Sequence, residues 1–410
     1  MAAPRPSAAA LTPSLTEVGQ PREAGEQGGD WPAESRLLAL LTGLWSAMGL
    51  LVLSSASWWT AGQELGDPWY YIKRQLIWLA IGWLVLLLAV RLPLRLWFRL
   101  APMIVLLGLG LLVVTLLAGT TVNGAQRWIA MGPVRLQPSE LIKPFLVLQA
   151  ASLFSSWNRR SNDQRLGWLL VFGGLVWLVL KQPNLSTASL MGMLLWLIAL
   201  GSGLAWYWLL LAAALGSAVF SFSLWLNPYQ LVRVLSFLDP FATAEGNGYQ
   251  LVQSLLAIGS GGWTGSGFTL SMQKLQYLPF QTTDFVFAVY AEEFGFIGGV
   301  LLLLFLLLYA FLGLRVSLAT RSHKAALLAI GATTLLIGQS ILNIGVATGT
   351  IPTTGLPLPL VSYGGNSLVA CLFSAGLLIR VDLEREVSAS GRLPPLRKRR
   401  HRCAAGARTR

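Results

Sequence analysis

The 410-residue chain is short of charge, histidine and cysteine, and each shortage narrows the functions open to it. Only 11% of residues are charged while 54% are hydrophobic, and the mean hydropathy is +0.61, far from the balance of a soluble globular domain. The two histidines, His323 and His401, both fall in stretches expected on the cytoplasmic side, with no cysteine pair beside them. That leaves no basis for a zinc hydrolase or a Ser-His-Asp triad at the outward face. The two cysteines, Cys371 inside an apolar run and Cys403 in a basic tail, have no expected disulfide. Residues 1–34 lack an apolar run of signal-peptide type and are rich in Ala, Pro, Ser, Gly and Glu. They read as a disordered cytoplasmic tail, which leaves the first span to direct insertion.

What the chain has is long apolar runs. Segments of about 17 to 25 apolar residues mark membrane spans, and ten are expected: 37–56, 75–91, 100–119, 138–156, 166–182, 185–203, 205–226, 287–314, 325–347 and 367–380. The expected fold is therefore an all-α polytopic membrane protein with a ten-span domain over 35–386 and a basic tail over 387–410. Arg91, Arg95 and Arg99, then Arg159, Arg160 and Arg165, then Arg315, Arg321 and Lys324 fall in alternate connections. Basic short loops stay inside, so these connections and both termini are assigned to the cytoplasm. The formal net charge of +13 is then mostly topology, with no nucleic-acid partner implied; the tail from Arg392 to Arg410 could touch anionic lipid.

Three outward connections carry the remaining polar residues. Residues 120–143 hold turn formers at Asn123-Gly124 and Gly132-Pro133, the cations Arg127 and Arg135, and Glu140 three residues before Lys143, a spacing that allows an ion pair on one helix face. The long loop 227–286 has an amphipathic part (249–258), a glycine-rich part (259–267) and a polar segment from Lys274 to Asp284. Its glycines have neither the strand before nor the GK[ST] after that a nucleotide loop requires; they suit backbone folding back into protein or a polar cavity. Residues 349–367, GTIPTTGLPLPLVSYGGNS, cannot form a regular helix through Pro352, Pro357 and Pro359. A re-entrant hairpin is expected, with Ser362, Tyr363 and Asn366 facing a cavity. Asp284 stands where polar chain meets an apolar span, so it is either a helix N-cap or a general base tuned by a partly dry site near Lys274 or Arg127. Glu292 and Glu293 follow on the same helix, and at least one needs a structural partner because consecutive residues cannot share one face.

Four blocks then carry a family resemblance: NGAQRWIAMGPVRLQPSELIKP (123–144), QPNLSTA (182–188), QKLQYLPFQTTDFVFAVYAEEFGFIG (273–298) and NIGVATGTIPTTGLPLPLVSYGGNS (343–367). In this order they resemble the SEDS family of cell-wall polymerases, represented by FtsW, RodA and SpoVE, over about residues 37–386. The resemblance implies a peptidoglycan glycosyltransferase that polymerises lipid II, the undecaprenyl-diphosphate-linked disaccharide pentapeptide. It places the family's essential acid at Asp284, which would deprotonate the acceptor 4-hydroxyl for an inverting attack on the donor. It also implies a class B penicillin-binding protein as partner, within a set of other divisome proteins. Arg127 and Lys274 are candidates to stabilise the diphosphate, with Glu140, Lys143, Ser362, Tyr363 and Asn366 as further candidate binding residues. No metal site is expected, although a divalent cation such as Mg²⁺ held loosely on the diphosphate would leave no residue pattern. Two departures stand out: relatives often have an acid and a histidine where this chain has Phe280 and Thr282, and PDLGT where it has Asn184 and Ser186. The long N-terminal tail and the PTTGLPLPLVSYGGNS form favour a septal, FtsW-like role over an elongation-type one. A lipid II flippase and a non-enzymatic scaffold are the competing functions.

Overall fold

The computed structural model describes residues 31–122, 125–132, 134–226 and 228–389. The expected tails fall largely outside these residues, as do Asn123-Gly124, Pro133 and Cys403. The order of elements is α1 (Ala33–Leu65), α2 (Tyr70–Arg91), α3 (Leu94–Ala118), β1 (Thr120–Val122), β2 (Ala125–Met131), β3 (Val134–Leu136), α4 (Pro138–Leu141), α5 (Lys143–Phe154), α6 (Asn162–Lys181), α7 (Leu185–Gly201), α8 (Trp206–Leu226), α9 (Pro228–Leu238), α10 (Tyr249–Ser260), α11 (Val286–Ala319), α12 (His323–Ala347) and α13 (Gly365–Ala389).

Among the described residues eight helices are long and apolar enough to cross a bilayer: α1, α2, α3, α6, α8, α11, α12 and α13. The other two expected spans are also helical but shorter. Leu185–Gly201 is one, and 138–154 is divided into α4 and α5 at Ile142. Local signals set several ends. Ser161 caps α6 by accepting from Gln164 N, and Ser322 caps α12 by accepting from Ala325 N. Asn184, the residue that departs from the family's acid, caps α7 by accepting from Thr187 N at 3.3 Å, a bond that an amide oxygen makes as well as a carboxylate.

Burial sorts the helices. In its most apolar stretch α13 is 83% buried, whereas α8 is 11% buried. A helix that is apolar all round and buried belongs at the centre of a bundle; one apolar all round and exposed needs lipid as its solvent. Trp206, Leu210, Leu215 and Trp225 of α8 are all exposed, so its periphery is the lipid-facing side of a multi-pass membrane protein. Around α13 pack α2 and α12, with α5 against α12.

Two features depart from a plain helical reading. The 120–136 connection forms a three-stranded antiparallel sheet in the order β1-β2-β3, with Val122 opposite Ala125 and Met131 opposite Val134. Helix α11 is broken at Gly295, whose φ of 64° and ψ of −165° lie outside the helical region. The glycine-rich loop fills that break. Ser266 N and Gly267 N donate to the carbonyls of Glu292 and Glu293, while Phe296 N and Ile297 N donate to those of Gly262 and Trp263. The backbone groups released from the helix are thereby satisfied by the loop, which is what buried chain demands. Only glycine fits the crossing, because a Cβ at Gly295 would lie 2.3 Å from Gly265 N and one at Gly265 2.1 Å from Glu293 O.

Candidate functional site

Asp284 sits in a turn, one residue before the N-cap of α11. That cap is Phe285, and no side chain caps the helix. The carboxylate is therefore not used as a helix cap, one of the two roles its position allowed. The turn is anchored at Phe280, which has a φ of 55°, a left-handed conformation that is costly for a bulky residue. Its carbonyl accepts from Thr283 N, Asp284 N and Phe285 N at 3.1, 3.1 and 3.3 Å.

The non-helical segment before α13 locks this turn in place. Asn343 of α12 donates through Nδ2 to the carbonyls of both Asp284 and Leu356 at 2.8 Å. Ser362 Oγ donates to Thr283 O at 2.5 Å, and Tyr363 N donates to Thr282 O at 2.8 Å. On the far side, Gln281 Nε2 donates to Ala56 O and Thr60 Oγ1 of α1 at 3.2 and 2.5 Å. Three separate parts of the chain thus fix the backbone at Asp284, while its side chain lies over Gly355: a Cβ built there would be 3.7 Å from Asp284 Oδ2.

Asp284 is half-buried, and desolvation lifts its carboxyl from the usual carboxylate range to about 6; the charge of Arg233, a hydrogen bond from Thr283 and the charge of Arg127 pull it back down. Part of the residue stays open, so solvent screens some of this field. Arg127, on β2, is itself oriented by protein: Nε donates to Gln182 O at 3.0 Å and Nη2 donates to Pro183 O. Arg233 lies on α9.

The other candidates have partners of their own. Lys274 Nζ donates to Glu293 Oε1 at 2.7 Å and to Ser55 Oγ at 2.8 Å, so its ammonium is committed to a buried ion pair. Glu292 accepts from Ser271 Oγ at 2.5 Å and from Met272 N at 2.8 Å; both acids of the Glu292-Glu293 pair are structurally engaged. Lys143 Nζ reaches Glu140 Oε2 and Gln339 Oε1, each at 2.8 Å, realising the i,i+3 pair. Gln339 Nε2 in turn donates to Pro357 O at 2.8 Å, so this buried group supports the loop beneath Asp284. Ser362 and Asn366 bond backbone at Thr283 and Arg135 and are buried, which corrects the expectation that they face a cavity. Tyr363 remains half-buried, edge-on to Tyr71 at 4.9 Å; burial raises its hydroxyl above the ordinary value while the Arg74 hydrogen bond lowers it. Of the named candidates, the geometry gathers Arg127 and Tyr363's segment around the Asp284 turn and leaves Lys274, Glu140, Lys143 and Asn366 as internal supports.

Thr283, Asn343 and Gly355 contact the Asp284 turn and the charge of Arg233 acts on it, and none of the four was among the candidate site residues. Asn343 heads the fourth motif block, which was its one available signal. Arg233 was legible only as one of four outward cations, with Arg127, Arg135 and Lys274, and nothing local set it toward Asp284. No group of three or more His, Cys, Asp or Glu forms a metal-holding cluster among the described residues.

Comparison with known proteins gives a consistent set. The family model for the cell cycle proteins FtsW, RodA and SpoVE matches residues 35–387. A Synechocystis sp. protein named "Probable peptidoglycan glycosyltransferase FtsW" is 50% identical over 355 residues, 86% of this chain and 90% of that protein. A Mesostigma viride protein also carrying the FtsW name is 47% identical over 358 residues, covering 87% and 86%. Among solved structures, a chain from a study of how a peptidoglycan synthase complex coordinates polymerization and crosslinking is 31% identical with a TM-score of 0.71, covering 87% of this chain and 99% of that one. The rod shape determining protein RodA of Thermus thermophilus is also 31% identical, with a TM-score of 0.64 and the same coverage.

Proposed function

Because the chain belongs to the FtsW/RodA/SpoVE family of cell cycle proteins, we propose that it is a peptidoglycan glycosyltransferase that polymerises lipid II, with Asp284 as general base. The acceptor sugar's 4-hydroxyl gives its proton to Asp284 and its oxygen attacks the anomeric carbon of the donor. The bond from that carbon to the lipid diphosphate breaks, and the α linkage becomes β by inversion. A base with a pKa near 6 is mostly ionised at neutral pH yet basic enough to take a proton in the transition state. Arg127 and Arg233 supply the positive field toward which the leaving diphosphate's charge develops. A divalent cation such as Mg²⁺, where one takes part, arrives on the diphosphate as part of the substrate.

The observation that carries this reading is that Asp284 is rigidly held, partly desolvated and free of any capping duty. The Asp284 end faces outward and both termini face the cytoplasm, as the alternation of Arg and Lys along the chain favours. A class B penicillin-binding protein is the partner that fits the synthase complex to which the chain is similar, with other divisome proteins around it. The relatives carrying the FtsW name favour the septal role.

Lipid II supplied to the purified protein, with and without the transpeptidase, tests the proposal. Glycan polymer of increasing length is expected from the native chain and none from Asp284→Asn. Transfer of labelled lipid II between leaflets with no polymer under any condition would overturn it in favour of a flippase.

A further inference from the structure

The opposite end of the bundle from Asp284 holds a cavity of about 510 Å³, and its lining is strongly cationic. The two lie at opposite ends of α11, on the order of 50 Å apart along a helix of that length. Arg95 and Arg99 from the first turns of α3, Arg321 from the α11–α12 connection, Lys324 from the first turn of α12 and Arg385 from α13 meet here, against the single carboxylate Glu384. Glu384 is already engaged: its Oε1 accepts from Leu94 N at 2.8 Å and from Arg380 Nε at 3.0 Å. Arg385 is paired with Asp382 and Glu34. Among the described residues no carboxylate forms an ion pair with Arg95, Arg99, Arg321 or Lys324. Lys324 instead lies over the Phe98 ring at 3.9 Å, which holds its charge at the cavity wall. The N-terminus of α12 adds the positive end of its dipole through Ser322 and Ala325.

Four unbalanced cations converging on one cavity specify an anion, and the rest of the lining says which kind. Leu94, Phe98, Ala319 and Val381 give the cavity an apolar wall, and Leu318, the residue before Ala319 on the last turn of α11, is 87% exposed. The cavity lies level with the ends of α3, α11 and α12, the depth of the headgroups when these helices span a bilayer. We propose that this cavity binds the phosphate of an anionic phospholipid, its acyl chains running down the apolar wall toward Leu318. Basic recesses between helices at the membrane boundary recognise acidic headgroups in this way. The basic segment after residue 389 has the wrong sign to fill it.

Full-length protein in detergent, titrated with phosphatidylglycerol, phosphatidylcholine or inorganic phosphate, tests the assignment by native mass spectrometry and thermal unfolding. Phosphatidylglycerol is expected to stay bound and raise Tm; phosphatidylcholine and inorganic phosphate are not. The Arg95→Gln, Arg99→Gln, Arg321→Gln triple variant is expected to bind phosphatidylglycerol roughly a hundredfold more weakly, and the corresponding Lys triple variant to recover most of the loss. An Arg91→Gln, Arg159→Gln protein, which loses surface charge outside the cavity, is expected to bind as the native chain does. Equal retention of the two lipids, an equal loss in the Arg91 and Arg159 control, or stabilisation by inorganic phosphate matching that by phosphatidylglycerol would overturn the lipid assignment.

Discussion

Glu293 and Asp284 stand at either side of the start of α11, and the protein closes the first with a buried ion pair while it leaves the second half-buried. Glu293 is buried and closed by Lys274 and Ser55 within 2.7 Å. Asp284 has cations acting through their fields, and its carboxyl rises to about 6. A buried acid with a hydrogen-bonded partner is a fastening; one held between desolvation and diffuse positive charge is poised to exchange a proton. The Glu140–Lys143 pair, tied through Gln339 to the non-helical segment before α13, belongs with the first kind.

The largest test of this contrast is Asp284→Asn. Removing a general base lowers the rate by about 10²- to 10⁴-fold, read as glycan polymer per unit time. Stability should move the other way. Burial lifts the folded carboxyl from the ordinary aspartate value near 3.8 to about 6, so its ionisation opposes folding: the folded state is relatively favoured below about pH 4, and that advantage is lost as pH rises through 6. The Asn variant escapes this and should unfold later at pH 8 by about 1 to 3 kcal/mol, a gap that closes toward pH 4. An Asn variant both inactive and less stable at pH 8 would return Asp284 to the fastenings.

Lys274→Met makes the opposite prediction for Glu293. It leaves a buried carboxylate with Ser55 alone, one of whose oxygens, Oε2, already has no partner. Breaking one side of such a pair costs about 3 to 5 kcal/mol, while replacing both sides with neutral groups restores most of it. Thermal unfolding of Lys274→Met beside the Lys274→Met, Glu293→Gln double variant measures the difference. Polymer yield should follow the folded fraction, as expected of a residue that holds the loop rather than the diphosphate.

The two acids also mark where the sequence stops being legible. The spans could be read because long apolar runs have few alternatives, and the amphipathic stretch 249–258 emerges as α10. Nothing in the apolar pattern marks the break at Gly295, since the run continues straight through it; the signal lay in the partner loop, whose glycines are spaced to meet it. Turn formers in the 120–143 connection were legible, but the β1-β2-β3 sheet was not, because β1 and β3 have only three residues each, too few to register as an alternating pattern. Asp284 was visible as an acid at a boundary. Which cation acted on it was not, because that is decided by chain segments far apart in sequence: Lys274 pairs with Glu293, and the charge of Arg233 acts on Asp284 instead.

A pH profile sharpens that last assignment. The polymerisation kcat/KM should fall about tenfold per pH unit below 6 and level off above it, because the ionised base is the active form. Arg233 and Arg127 both lower the Asp284 pKa, with Arg233 the stronger. Arg233→Gln should therefore move the midpoint upward, by a few tenths to about one unit, and Arg127→Gln upward by less. A reversed order would mean that Arg127 is the nearer field source.

The smallest effect separates the carboxylate's surroundings from its partners. At Gly355 a methyl group would sit 3.7 Å from Asp284 Oδ2, an ordinary contact that requires no backbone movement, so Gly355→Ala should change stability by less than about 0.5 kcal/mol. The added methyl nevertheless displaces water from the charged oxygen, and desolvation is the leading cause of the raised pKa. The midpoint of the pH profile should climb by a few tenths of a unit, with the rate above pH 8 nearly unchanged. A Gly355→Ala profile superimposable on the native one would mean that Asp284 is poised by its cations alone, and that burial, although present, does not tune the base.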